Sequence, residues 1–143
     1  MKLKNTSNED RRLTLTYYIR PVLGVNEQVT QQYIITERDK EKGQILIRNP
    51  YNSDFEGRIA FVTASEDITS FTCDRQEFIG AQGSLESPAA LRRRRLSNRS
   101  GAGYDPCVAL QATIELKINE EKEMVFLFGQ AKNLEEVREL IST

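Results

Sequence analysis

The sequence predicts a mainly β fold, an antiparallel β-sandwich with one short helix at the C-terminal end. Three observations support this prediction. Apolar and polar residues alternate along several short stretches, which is the pattern of half-buried strands. Clusters of Gly, Pro, Asn and Asp separate these stretches. A sustained helical spacing of apolar residues is found only at the end of the chain. With 143 residues, the chain is long enough to form one domain with a sizeable core.

Five strands are predicted in the first half of the chain, where Thr, Tyr and Ile are frequent. They are residues 12–22, 31–39, 44–50, 58–65 and 68–75. The polar sequence DKEKG and the loop 51–57 separate the middle strands. Only Glu66 and Asp67 connect the last two strands, so we expect consecutive strands to pair in an antiparallel meander with one face in solvent.

Residues 107–118 carry the clearest strand pattern of the chain. One predicted face consists of Val108, Leu110, Ala112, Ile114, Leu116 and Ile118, and the other of Gln111, Thr113, Glu115 and Lys117. The acidic sequence NEEKE then predicts a turn, and residues 124–131 are predicted as a buried strand. The total is roughly seven strands, which favours a sandwich.

The last predicted element is a helix that begins after Asn133, whose side chain is the expected N-cap. Glu135 and Glu136 lie in its first turn, near the positive end of the helix dipole. Its apolar stripe consists of Leu134, Val137, Leu140 and Ile141. The helix is about two turns long at the end of the sequence, so we expect the chain to be cut from a longer protein.

The middle of the chain, residues 76–104, is rich in Gly, Ser, Pro and Arg and has no strand period. A short helical turn is predicted at 87–94, with Ser87 as the cap and Pro88 in the first helical position. Irregular segments of this length inside a compact domain are usually either functional or wrongly assigned as irregular. We therefore expect contact residues in this segment.

Composition excludes several classes of site. The chain has no histidine, so a Ser-His-Asp triad, a Cys-His pair and a histidine-containing zinc site are impossible within it. Cys73 and Cys107 are too few for a thiolate zinc site, and we expect free buried thiols in a reducing compartment, with a disulfide as the alternative. A net charge of -1 argues against a nucleic-acid partner, and no apolar run is long enough to span a membrane. No metal or other cofactor is expected.

The sequence SGAGYDP contains a G-x-G pattern but does not predict a nucleotide-binding loop. Such loops lead into a helix, whereas a strand follows here. We therefore expect Gly101 and Gly103 to provide backbone freedom, and Asp105 to cap the turn before Pro106.

The basic run 92–95 has no interleaved aromatic residue, which is unlike a nucleic-acid patch. Three interpretations remain open: a solvated face, internal ion pairs, or contact with another domain or an anionic ligand. Among the other polar groups, Asp54, Glu66 and Asp67 are predicted in solvent-exposed loops. Tyr17, Tyr18 and Tyr33 are expected to pack in sheets, and Tyr104 to be exposed in a loop.

Four stretches resemble segments of the glycoside hydrolase family 94 phosphorylases, formerly glycosyltransferase family 36. They are RRLTLTYYIRPVLG (11–24), DRQEFIGAQGSLESPAAL (74–91), LSNRSGAGYDPCVALQATIEL (96–116) and INEEKEMVFLFGQAKN (118–133). They occur in the family's order and cover most of the chain. The sequence GAGYDPC is most similar to the branch of cyclic β-1,2-glucan synthases and β-1,2-oligoglucan phosphorylases, with cellobiose phosphorylases as the alternative.

The resemblance implies that residues 1–131 form part of a galactose-mutarotase-like β-supersandwich and that residues 132–143 begin a helical linker. It also implies that the catalytic acid and most of the phosphate site lie in an (α/α)6-barrel outside this chain, so no residue here is predicted to be catalytic. The parent enzyme is expected to cleave or form β-glucosidic bonds with inorganic phosphate and glucose 1-phosphate. Its expected location is the cytoplasm, or the cytoplasmic part of a membrane-bound glucan synthase.

The residues predicted to contact substrate or the barrel are Arg95, Asn98, Arg99, Tyr104 and Asp105. The expected partners are a β-glucan oligosaccharide and inorganic phosphate through the parent enzyme, the barrel, and a second copy in a homodimer. Two alternatives stay open: a stand-alone carbohydrate-binding module, which needs exposed aromatic residues in one groove, or a dimerisation module without a ligand.

Overall fold

A computed structural model of the chain describes residues 1–51 and 57–142. These residues form two antiparallel sheets packed face to face and one separate pair of short strands. The mainly β sandwich and its C-terminal helix are therefore confirmed. The predicted loop around Asp54 and the last residue of the predicted helix lie outside the described ranges.

The larger sheet has four strands in the order β3-β4-β5-β9. Its strands are β3 (Ile35–Arg38), β4 (Ile45–Arg48), β5 (Ile59–Ala64) and β9 (Phe126–Ala131). The first three form the expected meander, in which Gly43 ends the turn between β3 and β4. β9 returns from the end of the chain and pairs with β5 over its whole length.

The smaller sheet has the order β2-β7-β6. Its strands are β2 (Arg11–Ile19), β6 (Ile68–Asp74) and β7 (Pro106–Leu116). β7 is central, because both β2 and β6 pair with it. The expectation that β5 and β6 form a hairpin is wrong, since their three-residue connection, residues 65–67, carries the chain from one sheet to the other. A short connection can either close a hairpin within one sheet or pass between two sheets. Here it passes between the sheets, and residues of β5 and β6 face each other in the interior of the sandwich.

Several short elements were not expected from the sequence. Strand β8 (Glu121–Glu123) lies within the predicted acidic turn and pairs with strand β1 (Lys2–Lys4) at the start of the chain. Lysines of β1 stand opposite glutamates of β8 in this pair. Helix α1 (Glu27–Thr30) precedes the predicted strand 31–39, and a 3-10 turn at Gln31–Tyr33 replaces the first part of that strand. Helix α2 (Arg75–Ile79) directly follows β6.

The helical turn predicted at 87–94 is a 3-10 turn at Ala89–Arg92, but Ser87 does not cap it. Pro88 precedes the turn, and the Ser87 hydroxyl accepts a hydrogen bond from Arg92 at 3.2 Å. The C-terminal helix α3 (Leu134–Ser142) begins as predicted, because the Asn133 Oδ1 accepts from the Glu136 amide at 2.9 Å.

The sandwich has an interior core and a cover on the outer face of each sheet. Interior residues of both sheets meet in one cluster that includes Ile45, Val62, Phe71 and Val108. Helix α3 covers the larger sheet by packing Val137 against Leu46, Ile59, Phe61 and Ala131. Residues 75–96, which we call the cover segment, pack on the smaller sheet through Phe78, Ile79, Ala90 and Leu96.

The cover segment changes the predicted burial of β7. The strand was expected to keep one polar face in solvent, but Cys107 and Ala109 pack beneath the cover segment and Gln111 is only 3% exposed. The alternation ends near Leu116, and Ile118 lies outside the strand, half exposed. The predicted burial of 124–131 is also wrong in part, because β9 is an edge strand with Phe128 52% exposed.

Candidate functional site

The five predicted contact residues lie in or beside residues 97–105, which we call the edge segment. This segment follows the cover segment and leads into β7. At the start of the edge segment, the buried side chain of Leu96 packs in the apolar cluster between the cover segment and β7. At the end of the edge segment, Pro106 begins β7. Both ends of the segment are therefore fixed to the smaller sheet.

Asn98 fixes the edge segment to the open edge of β6. It adopts a left-handed conformation with φ of 57°. The backbone N–H of Asn98 donates to the carbonyl of Phe71 at 2.8 Å, and its side-chain Oδ1 accepts from the backbone N–H of Phe71 at 3.0 Å. The Arg99 carbonyl then accepts from the Cys73 amide at 2.8 Å. The edge of β6 thus has its hydrogen-bonding groups paired by two consecutive residues.

Gly101 connects the same segment to the edge of the other sheet. Its carbonyl accepts from the Thr36 amide of β3 at 3.1 Å, and its own amide donates to the Thr36 hydroxyl at 3.1 Å. The glycine has φ of 136°, a value that side-chain-bearing residues rarely adopt. The expected backbone freedom of Gly101 therefore has a purpose, which is to bridge the two sheets at one side of the sandwich.

Arg99 and Asp105 are both engaged in ion pairs at the end of the smaller sheet. The Arg99 guanidinium lies 3.0 Å from Asp74 and 6.0 Å from the ring centre of Tyr104. The hydrogen bond to Asp74 raises the pKa of Arg99. Asp105 lies 3.0 Å from Arg20 and 3.7 Å from Arg75, so its carboxylate pairs with two arginines rather than only capping a turn.

Arg20 belongs to a wider polar cluster at this end. It also contacts Glu27 at 2.7 Å and Gln31 at 3.0 Å, both from the unexpected helical region after β2. Between this region and the edge segment lies a cleft of about 270 Å³, lined by Gln31, Gln32, Gly103, Tyr104 and Asp105. Tyr104 is half buried beside it, not fully exposed as expected.

The structure therefore brings four of the five predicted residues together, at the edge of the sandwich. Arg95 stands apart: its side chain is exposed, and it has no ion pair or hydrogen bond within the described ranges. Of the basic run, Arg93 pairs with Glu77 at 3.2 Å and Arg92 bonds Ser87, so both solvated and internally paired arginines occur.

Glu77 is a buried carboxylate that sequence reasoning did not single out. Its side chain is 6% exposed and accepts hydrogen bonds from Thr72, from the Ser97 amide at 3.0 Å and from the Ser97 hydroxyl at 2.7 Å. Burial alone raises its pKa, but these hydrogen bonds and Arg93 outweigh burial and lower it. Nothing in the sequence pattern distinguishes this glutamate from its solvated neighbours.

The two cysteines are free, buried thiols, as expected. Burial raises the pKa of Cys73 to about 12 and raises that of Cys107 as well. A thiol with a raised pKa is a poor nucleophile at neutral pH. Among residues 1–51 and 57–142, no group of three or more acidic, Cys or His side chains is arranged to hold a metal ion.

The comparison with known proteins decides the family. The sequence model of the family described as glycosyl hydrolase 94, supersandwich domain, matches residues 1–143, which is the whole chain. The chain belongs to this family. The resemblance seen in its motifs is thereby confirmed, and so is the supersandwich class of its fold.

Three curated relatives of this supersandwich domain share the family. The cyclic beta-(1,2)-glucan synthase NdvB of Rhizobium meliloti is 30% identical over 142 residues, which are 99% of this chain and 5% of that protein. A 3-O-beta-D-glucopyranosyl-beta-D-glucuronide phosphorylase of Paenibacillus borealis is 32% identical over 80 residues, 56% of this chain and 10% of its own. A cellobionic acid phosphorylase of Neurospora crassa is 28% identical over 145 residues, 96% of this chain and 18% of its own.

The supersandwich domain described here thus spans a small part of each of these relatives. In the described part of the chain, no helix is both long and apolar enough to cross a membrane.

Proposed function

We propose that this chain is the non-catalytic supersandwich domain of a longer enzyme that cleaves or forms β-glucosidic bonds with inorganic phosphate and glucose 1-phosphate. The family match over the whole chain carries this proposal. The relatives, a cyclic beta-(1,2)-glucan synthase and two phosphorylases, support it. In this proposal the domain supports an (α/α)6-barrel that holds the catalytic acid.

The state of the ionisable groups also supports a non-catalytic role. A general acid must reach the substrate with its proton available, and a nucleophile must be accessible. Glu77, Asp74 and Asp105 are each held in hydrogen bonds or ion pairs within the fold. The thiols of Cys73 and Cys107 are fully buried.

The proposed division of the chain is a sandwich over residues 1–131 and the start of a helical linker over 132–143. Helix α3 lies on the outer face of the larger sheet through Leu134, Val137 and Ile141. This packing gives a linker a fixed direction of departure from the sandwich.

Assays of the purified chain and of its parent enzyme test the proposal. Residues 1–143, incubated with phosphate and β-1,2-glucan oligosaccharides or cellobiose, are expected to release no glucose 1-phosphate, whereas the parent releases it. Turnover by the isolated chain contradicts the proposal. If the cleft lined by Gln31, Gly103 and Tyr104 borders the saccharide site of the parent enzyme, Tyr104→Ala in the parent should raise KM more than it lowers kcat.

A stand-alone carbohydrate-binding role is the second candidate, and one observation favours it. The rings of Tyr33 and Tyr51 lie 5.1 Å apart, with Tyr51 77% exposed. Exposed aromatic rings are suited to stacking on sugar faces. Calorimetry with sophorose and cellobiose tests this role, with Tyr51→Ala as the variant that should abolish the heat. Absence of heat at millimolar sugar excludes it.

The cytoplasm, or the cytoplasmic side of a membrane-bound synthase, is the proposed location of the parent enzyme. Two unpaired buried cysteines are typical of reducing compartments and support this location. Fractionation of the host cell followed by immunodetection of the parent tests it, and recovery from an extracellular fraction contradicts it.

A further inference from the structure

A second cleft lies at the mouth of the sandwich, on the side where the edge segment joins β3 and β6. Its volume is about 560 Å³, and its walls include Arg38, Lys40, Phe71, Asn98 and Ser100. It is separate from the Tyr104 cleft, with which it shares no lining residue. Volumes of roughly 300–1,000 Å³ are typical of small-molecule sites.

Arg38 holds an unusual place in this cleft. It stands directly opposite Ile45 in the register of β3 and β4, so its side chain leaves the sheet on the same face as a core residue. At the end of β3 this face opens to solvent, and the guanidinium lies 5.4 Å above the ring of Phe71 from the opposite sheet. The aromatic ring stabilises and orients the cation.

Two acidic residues, Glu37 and Asp39, also line the cleft, and both are paired with cations other than Arg38. Asp39 accepts two hydrogen bonds from Arg138 at 3.1 Å each, and Glu37 pairs with Arg48 at 3.1 Å. The hydrogen bond from Arg138 holds the pKa of Asp39 below its ordinary value, so this carboxylate stays ionised and committed to Arg138. Arg38 itself has no carboxylate partner in the described ranges.

Several other hydrogen-bond donors of the cleft are also unused. The Asn98 Oδ1 is bound to Phe71, which leaves its Nδ2 as a donor. Within the described part of the chain, the Ser100 hydroxyl and the Lys40 ammonium have no partner. Arg38 also lines a smaller neighbouring cleft together with Lys42, Glu66 and Asp67, and within the described ranges it forms no ion pair with either of these two carboxylates.

From this arrangement we propose that the mouth cleft binds an oxyanion, a carboxylate or phosphate group of a small ligand, on the guanidinium of Arg38. A planar guanidinium presents paired donors that match the two oxygens of such a group. Asn98, Ser100 and Lys40 supply further donors around it, and Phe71 forms an apolar floor. This site is independent of the proposed role of the domain, because it rests on the geometry of the cleft alone.

Nuclear magnetic resonance of the ¹⁵N-labelled chain tests this site. Sodium phosphate, sodium glucuronate and neutral glucose are titrated separately at constant ionic strength. The amides of Lys40 and Ser100 and the Nε–H of Arg38 should shift and saturate with phosphate, glucuronate or both, with half-saturation below about 10 mM. Saturation by phosphate alone identifies free phosphate as the source, and saturation by glucuronate alone identifies an acidic sugar. Glucose should cause no saturable shift.

Variants separate oxyanion binding from a structural role of Arg38. Arg38→Met keeps an apolar stem over Phe71, and we expect it to fold normally and to bind the oxyanion at least about tenfold more weakly. Arg38→Lys keeps the charge without the planar fork, so its affinity for the oxyanion should lie between those of the wild type and of Arg38→Met. Arg12→Met, on exposed β2, is the matched control and should bind as the wild type does. Shifts that fail to saturate, or equal binding by folded Arg38→Met, overturn the proposal.

Discussion

Asp105 shows how a predicted contact residue acts in the structure. Its carboxylate lies between Arg20 and Arg75, and its side chain is 25% exposed. Its main-chain carbonyl also accepts from the Arg75 amide at 2.8 Å, so the residue joins the start of β7 to the start of α2. Partly buried ion pairs of this kind are costly to break from one side, because the remaining charges lose their partner.

Asp105→Asn should therefore destabilise the domain by about 1–2 kcal/mol at neutral pH. Asparagine keeps the shape of the side chain but removes the charge that faces Arg20 and Arg75. Urea unfolding followed by circular dichroism measures the change. Asp67→Asn, at an exposed position between β5 and β6, is the control and should change the free energy of unfolding little. Equal stability of the two variants contradicts the structural role of Asp105.

Glu77 predicts a pH dependence of stability. Its pKa is lower in the folded state than the ordinary value of 4.5, so its ionised form stabilises the fold. This contribution is fully present above pH 4.5 and disappears as the pH falls through the lowered folded-state pKa. Glu77→Gln should therefore reduce stability at pH 7 and show a smaller further loss between neutral and acidic pH than the wild type does.

Urea unfolding at a series of pH values measures this difference. Glu86→Gln is the matched control, because Glu86 is exposed, and it should retain the pH profile of the wild type. A Glu77→Gln profile parallel to that of the wild type would show that Glu77 is not the titrating group.

At the scale of elements, the cover segment resolves the question raised by the arginine-rich middle of the chain. Its short helical pieces carry the apolar side chains that bury Cys107 and Ala109 of β7. The arginines between 92 and 95 are exposed, while Leu96 directly after them is 1% exposed. The segment is therefore a packed layer with a basic outer surface.

Leu96→Ala should lower the free energy of unfolding by about 2–4 kcal/mol, because it leaves a cavity between the cover segment and β7. Leu91→Ala removes the same atoms from a side chain that is 55% exposed, and we expect a change below about 0.5 kcal/mol. Chemical denaturation measures both. Similar losses for the two variants would contradict the distinct packing of Leu96.

Sequence reasoning located the elements whose signals are local. The long alternation predicts β7, the turns predict the meander β3-β4-β5, and Asn133 predicts the start of α3. Burial of Gln111 was not predictable in this way, since it depends on the cover segment and on a hydrogen bond from the Ser70 hydroxyl at 2.9 Å. Partners far apart along the chain leave no periodic signal.

The candidate site was predictable only in part, for the same reason. Its glycines and arginines drew attention to the correct segment, but the partners of that segment come from distant strands. Thr36 is 65 positions from Gly101, and Arg20 is 85 positions from Asp105. The cleft beside Tyr104 also depends on Gln31 and on its neighbour, which the sequence placed in a strand.

At the scale of the whole molecule, the two sides of the sandwich differ. On one side, the edge segment pairs with β6 and β3. On the other, β2 and β9 are edge strands whose apolar residues are incompletely buried, and Tyr17 of one stacks on Phe126 of the other at 4.8 Å. Residues 124–131 contain no charge, so β9 lacks the charged side chains that usually protect an exposed edge.

We therefore expect residues 1–143 to self-associate at high concentration, with β9 as the contact. Phe128→Lys places a charge on this half-exposed edge and should shift the population toward monomer. Val25→Lys is the control, because Val25 is 90% exposed and lies on the loop after β2 rather than on a strand. Sedimentation velocity measures the distribution. A monomer at every concentration, or equal association of wild type and Phe128→Lys, contradicts this expectation.

The bridge formed by Asn98, Arg99 and Gly101 has a consequence for proteolysis. A protease that cuts the chain between Asn98 and Gly101 releases the partners of β6 and β3 in a single event, because a few consecutive residues hold both strands. One cleavage thus leaves both outer strands of the larger and of the smaller sheet without a partner on their outer sides, because β2 and β9 are already edge strands. Limited digestion at this point should be followed by precipitation, whereas a nick in an exposed loop such as the one around Val25 leaves the protein in solution.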